Sequence, residues 1–260
     1  MDWIKALILG IIQGLTEFLP VSSSGHLEIA KALLGVHLED NLAFSLVVHA
    51  ATVLSTLVVF RKDIANLFSG LFRFEWNTET QYVTKIVFSA VPVIFVGVFL
   101  EDTVESFFNG NLLFVAAMLL LTAILLAFTF YAKATDKAIS FRDALIIGIA
   151  QAIAVLPGIS RSGATIATAL ILKNNRTEAA RFSFLMVLLP ILGKAFLDLF
   201  SGKLASVETE ITPLVVGFIS AFVVGFLACK LMIRIVRNSK LIYFALYCAV
   251  VAILTFIFSI

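Results

Sequence analysis

Gln13-Gly14-Leu15-Thr16-Glu17-Phe18-Leu19-Pro20-Val21-Ser22-Ser23-Ser24-Gly25-His26 places a carboxylate, three consecutive hydroxyls and an imidazole inside a chain otherwise suited to lipid. A second stretch, Gln151-Ala152-Ile153-Ala154-Val155-Leu156-Pro157-Gly158-Ile159-Ser160-Arg161-Ser162-Gly163, answers it 138 positions later, counted from Gln13 to Gln151. Ionisable groups are costly in a bilayer and mark function where they are kept there. Here they come with Gly, Pro and Ser, which break a helix and leave backbone groups unpaired. Two interrupted apolar segments with polar tips point to an anion-handling site within a membrane.

Composition agrees. The chain is 61% hydrophobic and 14% charged, against roughly 25% charged in a soluble domain, so residues 1–260 read as one integral membrane domain of all-α class. A net charge of +2 without a basic run gives no footing for nucleic acid. Cys229 and Cys248 sit in apolar runs and serve as small packing residues, with neither disulfide nor zinc spacing. The apolar N-terminus has no basic leader or small-residue cleavage site and reads as a retained helix.

Six apolar runs, about 41–60, 83–100, 112–131, 179–199, 211–233 and 241–259, approach the roughly 20 residues needed to cross the hydrocarbon core. Two more regions, 3–35 and 142–173, are broken near their middles, with second arms of about 14 residues, near 21 Å as helix. Such arms are too short to cross, so both regions are expected to be re-entrant helix hairpins shielded by protein or a cavity. Segments 61–82, 132–142, 173–181 and 234–240 each carry three Lys or Arg residues, whereas 36–40 and 101–111 carry none and 200–210 only Lys203. Positive charge stays inside, which puts both termini outside, the first hairpin entering from outside and the second from the cytoplasm.

Ala6 to Gln13 aligns with Ala144 to Gln151, and the same offset matches Ser22 with Ser160, Ser24 with Ser162, Gly25 with Gly163, and Phe44-Ser45 with Phe182-Ser183. Three spans between the hairpins invert the second copy, so repeats of approximately 1–131 and 139–260 form an inverted-topology pair of the kind found in transporters. The repeat breaks at the reactive groups: Glu17 faces Val155, Ser23 faces Arg161 and His26 faces Ala164. Directional chemistry needs such asymmetry; a simple conduit does not.

Ser22-Ser23-Ser24 and Ser160-Arg161-Ser162 each precede a new helix, whose free N–H groups and positive dipole end attract anions. Arg161 adds a permanent bidentate charge suited to phosphate oxygens. Gln13 and Glu17 share a helix face at a spacing of four. Glu17 is expected to ionise beside Arg161 or a divalent cation, His26 to carry a proton, and Ser23 to attack phosphorus or hold its oxygens. Ser22, Ser24, Ser160 and Ser162 suit helix capping as well as substrate contact. Together with Gln13, Gly25 and Gly163 they complete the expected substrate-binding set. His49 and the loop residue His37 are read as structural, and Lys194 and Asp198 as an ion pair within one span.

These residues resemble the undecaprenyl-diphosphate phosphatases of the bacitracin-resistance type. The family's (E/Q)xxxE and PVSSxGH elements read as Gln13–Glu17 and Pro20 to His26, and its PGxSRSGAT element as Pro157 to Thr165. The Ser-Gly-His piece is also similar to type 2 phosphatidic acid phosphatases, whose other motifs are missing here. The resemblance implies hydrolysis of a C55 polyprenyl diphosphate to its monophosphate, recycling the lipid carrier of cell-wall synthesis and conferring bacitracin resistance. It implies a bacterial plasma-membrane enzyme open to the outer face, with Glu17, Ser23, His26 and Arg161 as catalytic residues. It also implies a divalent cation, Mg or Ca, with Glu17 as its ligand. Gln13 occupies a slot where many members have Glu, which weakens a two-carboxylate clamp. Within the implied mechanism Ser23 or an activated water attacks phosphorus, and Glu17 orients His26 or binds the cation. A transporter of polyprenyl phosphate using the same midplane site is the competing reading. Oligomeric state stays open, a homodimer included. The orientation is testable: with Cys229 and Cys248 replaced, a cysteine placed in 36–40 should react with an impermeant thiol reagent only from outside, and one in 132–140 only from the cytoplasm. The reverse pattern would overturn it.

Overall fold

The computed structural model describes residues 1–36, 41–108, 110–132, 135–193, 211–238 and 240–259. Its helices are α1 (Trp3–Phe18), α2 (Ser23–Leu34), α3 (Asn41–Val59), α4 (Arg61–Leu71), α5 (Thr78–Phe99), α6 (Glu101–Ser106), α7 (Leu112–Phe128), α8 (Phe141–Ile153), α9 (Arg161–Ile171), α10 (Arg176–Met186), α11 (Ile211–Arg237) and α12 (Ile242–Phe258). Among the described residues there is no β-strand, only an isolated bridge between Lys137 and Asn174. Helices α5, α7 with its extension to Tyr131, and α11 are each long and apolar enough to cross a membrane. Helix α3 joins them if taken together with α4, from which it bends by 72°. The outward faces of α5, α7 and α12 are apolar: Val91, Phe95 and Val98 on α5, Leu120 and Ile124 on α7, Leu246, Ile253 and Ile257 on α12 are all exposed. So much exposed apolar surface suits lipid rather than water. The chain is a polytopic all-α membrane protein.

Three expectations need adjusting. Residues 61–82 are not simply a charged loop, because Arg61–Leu71 forms α4. Its Ile64, Leu67 and Leu71 recur at helical spacing, and Gly70 lies against the Glu79 side chain. Residues 101–111 include the short helix α6. The run expected at 179–199 begins earlier, at Arg176, where Asn175 caps α10 by accepting from the N–H groups of Thr177 (2.9 Å) and Glu178 (3.2 Å). It breaks at Val187 and resumes over 188–193. Its end, His37, Lys133, the Lys194–Asp198 pairing and Lys203 lie outside the described residues.

Both interrupted regions fold as helix–turn–helix hairpins. Pro20 disfavours helical backbone at the residue before it, and Leu19 is accordingly extended, with φ −71° and ψ 144°, ending α1. The chain reverses through Ser22, at φ 69°, whose Oγ accepts from the Gly25 N–H at 3.2 Å and so caps α2. In the second hairpin the turn is longer, running from the end of α8 at Ile153 to Ser160, which caps α9 by accepting from the Gly163 N–H at 3.0 Å. Gly158 carries the positive φ there, 96°, and a Cβ on it would lie 2.6 Å from the Val115 carbonyl oxygen. Only glycine suits that position. Helices α2 and α9, of 12 and 11 residues, span about 16–18 Å at 1.5 Å per residue.

Glycines set how deeply the first arms embed. A Cβ on Gly14 would lie 2.6 Å from the Ala221 carbonyl oxygen and 2.8 Å from the Gly225 nitrogen, so α1 rests on the backbone of α11. Gly148 places α8 against the Ser89 backbone of α5 in the same way. Close backbone approach through small residues is how helices associate where lipid removes the hydrophobic drive between them. Helix α7 packs on both α12 and α9, closing the bundle around the two turns. Gly14→Ala should therefore destabilise the protein by about 1–3 kcal/mol through overpacking. Gly97→Ala, with nothing within 4 Å of the new carbon, should be neutral or gain up to about 1 kcal/mol in helix propensity. Thermal unfolding in detergent checks both; equal effects at the two sites would contradict the close α1–α11 contact.

Candidate active site

The two turns meet. Ser162 Oγ donates to the Leu19 carbonyl at 3.3 Å, a Cβ on Gly163 would lie 3.3 Å from Pro20, and one on Gly25 would lie 3.1 Å from the Gly158 Cα. Thr122 of α7 braces the second turn: its Oγ1 accepts from the Ser160 N–H at 3.0 Å and lies 3.2 Å from the Gly158 carbonyl oxygen. Cys248 of α12 reaches the Pro20 carbonyl at 3.7 Å.

At this junction sits Glu17, its side chain 9% exposed. Arg161 Nη2 donates to Oε1, while Ser23 Oγ donates to Oε2 at 2.6 Å and Gln13 Nε2 to the same oxygen at 3.0 Å. Ser23 and Arg161 are the first helical residues of α2 and α9 and match each other in the 138-residue offset. The two equivalent positions thus converge on one carboxylate. His49 of α3 completes the ring, with Nε2 at 4.0 Å from Glu17 Oε2 and Nδ1 at 2.8 Å from the Ser45 carbonyl. Ser22 and Ser24 lie 3.3 Å apart through their hydroxyls and Ser160 and Ser162 3.4 Å apart, so each capping serine, Ser22 or Ser160, has a second hydroxyl beside it at the tip.

His26 does not join this ring. The expected link from Glu17 is absent among the described residues; the imidazole is held instead by the Ser22 carbonyl at Nδ1 and by Tyr247 Oη at Nε2, each 2.8 Å away. The reason is register. His26 lies one turn into α2, on the side facing α12, while Glu17 is saturated by nearer partners.

Three groups at or near the site were not assigned to it from sequence: His49, read as structural, Thr122 and Tyr247. An ionisable group within an apolar span was the only available signal for His49. No spacing links Thr122 or Tyr247 to the motifs. Gln151, the counterpart of Gln13, is fully buried, and neither of its amide atoms has a hydrogen-bond partner among the described residues.

A cavity opens beside Glu17 and Arg161. Ser162, Ser183, Thr52 and Thr56 supply polar lining, and Phe18, Val53, Phe184, Val187, Leu188 and Ile191 an apolar side. A charged head with an attached hydrocarbon chain would find both surfaces it needs.

The donor set gives a divalent cation partial accommodation. No group of three or more His, Cys, Asp or Glu residues suits a metal among the described residues. Gln13 Oε1, however, lies beside Glu17, buried and without a hydrogen-bond partner among the described residues. One carboxylate and one amide oxygen make too few ligands for a resident site, but they suit a magnesium-like ion that brings phosphate oxygens with it.

Comparison with known proteins accords with this geometry. Over 263 residues the chain is 57% identical to an undecaprenyl-diphosphatase of Bacteroides fragilis, covering 100% of this chain and 99% of that one. With the undecaprenyl-diphosphatase of Parabacteroides distasonis it shares 58% identity over 259 residues, 98% of this chain and 97% of that protein. With that of Christiangramia forsetii the figures are 56% over 261 residues, 100% and 99%. The sequence profile described as "Bacitracin resistance protein BacA" matches residues 6–254, both hairpins and the helices between and after them included. A match spanning the whole site and nearly the whole chain leaves one assignment: this chain belongs to the bacitracin resistance protein BacA family.

Proposed function

We propose that this chain is an undecaprenyl-diphosphatase, hydrolysing undecaprenyl diphosphate to undecaprenyl phosphate and inorganic phosphate within the membrane. The observation that carries the proposal is the shared carboxylate: Glu17 binds the Ser23 hydroxyl at 2.6 Å and the Arg161 guanidinium across the two turns. A hydroxyl bonded to a carboxylate base is an activated nucleophile, and a guanidinium beside it is a phosphate clamp.

In this scheme the substrate diphosphate draws Arg161 and the N-terminal N–H groups of α2 and α9 onto its oxygens. Arg161 moves from Glu17 to phosphate, which frees the carboxylate to act as base. Ser23 Oγ attacks the terminal phosphorus, its proton passes to Glu17 Oε2, and the bond from phosphorus to the bridging oxygen breaks to release undecaprenyl phosphate. Water then hydrolyses the phosphoserine and regenerates Ser23. His26 carries a proton for one of these steps. A divalent cation, Mg or Ca, would be held by Glu17 and Gln13 Oε1 and would help neutralise phosphate charge.

The same proposal places the enzyme in the bacterial plasma membrane, with both termini outside and the site open to the outer face, as the distribution of Lys and Arg supports. It treats the chain as two inverted halves with re-entrant hairpins. Support comes from the exchange of partners, in which α1 packs on α11 and α8 on α5, each first arm seated on a helix of the other half. Turnover recycles the lipid carrier of cell-wall synthesis.

Phosphate release from a short-chain prenyl diphosphate by purified protein tests the function. Arg161→Ala should lower kcat/KM at least about 100-fold, because charge-assisted hydrogen bonds of about 1.5–3 kcal/mol each are lost. Arg161→Lys should recover little of that loss without the bidentate fork. Turnover and KM near wild type in Arg161→Ala would remove the clamp. Lipid movement without phosphate release, unaffected by Glu17→Ala or His26→Ala, would support a transporter instead.

A further inference from the structure

We propose that Tyr247 is a further functional residue of this site, the group through which His26 exchanges its proton with the departing prenyl phosphate. The inference rests on the diphosphatase proposal above and assigns a role to a residue 221 positions from its partner.

The ring nitrogens decide the direction of proton flow. His26 Nδ1 lies 2.8 Å from the Ser22 carbonyl, and a carbonyl only accepts, so Nδ1 keeps its hydrogen. Exchange is left to Nε2, which lies 2.8 Å from Tyr247 Oη, with the two ring planes within 10° of parallel. The phenol therefore occupies the only exchangeable nitrogen, and a proton can reach substrate from His26 only by way of Oη. Tyr247 is 45% exposed, so its oxygen is not sealed in the core.

Placement supports the same role. Ser23 and His26 are three apart at the start of α2 and lie on neighbouring positions of one face. On this proposal a diphosphate held at Ser23 would turn its bridging oxygen toward that face. Helix α12 is tied to the turn one residue further on, through Cys248 and the Pro20 carbonyl at 3.7 Å, so the phenol is held in register with the turn.

The step balances. As the bridging bond breaks, the Tyr247 hydroxyl proton moves to the departing oxygen, and Oη takes the Nε2 proton from protonated His26. Neutral imidazole remains, and it takes back a proton from the water whose oxygen joins phosphorus as the phosphoserine is hydrolysed. The titratable groups around His26 are few. Helix α12 supplies Tyr247 and Cys248, α7 supplies none over Leu112–Phe128, and α2 itself carries the Lys31–Glu28 pair at 3.3 Å. From α1 comes Glu17, engaged by Arg161, Ser23 and Gln13.

Steady-state phosphate release in detergent tests the assignment. Tyr247→Phe should lower kcat about 100-fold or more, the scale of one acid–base group, with KM within about threefold. Tyr243→Phe, one turn earlier and 68% exposed, should match wild type. Replacing Tyr247 by 3-fluorotyrosine keeps the shape but makes the phenol a stronger acid and its oxygen a weaker acceptor from His26 Nε2, so protonated His26 is held less well and the alkaline limb of kcat should move to lower pH. A phenol that only packs would leave that limb in place. The proposal is overturned by a Tyr247→Phe kcat within threefold of wild type, or by an unmoved limb in the fluorinated protein, which decides alone if Tyr247→Phe fails to fold. No phosphate release by wild type would instead sink the diphosphatase proposal itself.

Discussion

A carboxylate held among apolar helices needs a counter-charge, and Glu17 finds it in Arg161 on the opposite turn. Removing Arg161 would leave the Glu17 carboxylate, 9% exposed, without its counter-charge. The pair therefore locks the two hairpins tip to tip as well as arming the site. Nearby features serve that meeting: Gly25 and Gly163 let the turns touch, Gly158 lets the second turn pass under α7, and Thr122 braces it. A substrate anion that competes for Arg161 would break this pair at the moment it enters. In the proposed scheme, binding and activation of the base are one event.

Near-symmetric scaffolding makes the asymmetry productive. Both hairpins use the same devices, a proline-bearing turn followed by a serine cap whose Oγ accepts from the backbone N–H three residues on. Both present their first helical residue to the centre. In one hairpin that residue is Ser23 and in the other Arg161, so a hydroxyl and a cation arrive at Glu17 from the two turns. Identical tips would bring two serines or two arginines together, and neither pairing could both attack and stabilise a phosphoryl group.

Most of the helical layout was legible in the chain because it rests on local causes. Long apolar runs, the Pro20 and Pro157-Gly158 breaks and the serine caps are all set by residues within a turn or two of where they act. The helix over Arg61–Leu71 was obscured because its charges dominate the composition while three apolar residues do the packing. The site was legible in part. Gln13, Glu17, Ser23 and Arg161 stand out because charge and hydroxyls are costly in lipid, and the structure brings these four into one hydrogen-bonded set.

Polar tips on broken helices, an apolar exterior and a carboxylate within reach of a serine follow from the order of residues, since each depends on near neighbours and on the expense of burying charge. Which distant group each tip residue would touch did not follow. His26 turned to Tyr247 rather than Glu17, and His49 came to stand 4.0 Å from that carboxylate. Those partnerships were set by how α12 and α3 pack against the hairpins. Such packing depends on side-chain shapes along whole helices, which no spacing within a motif records.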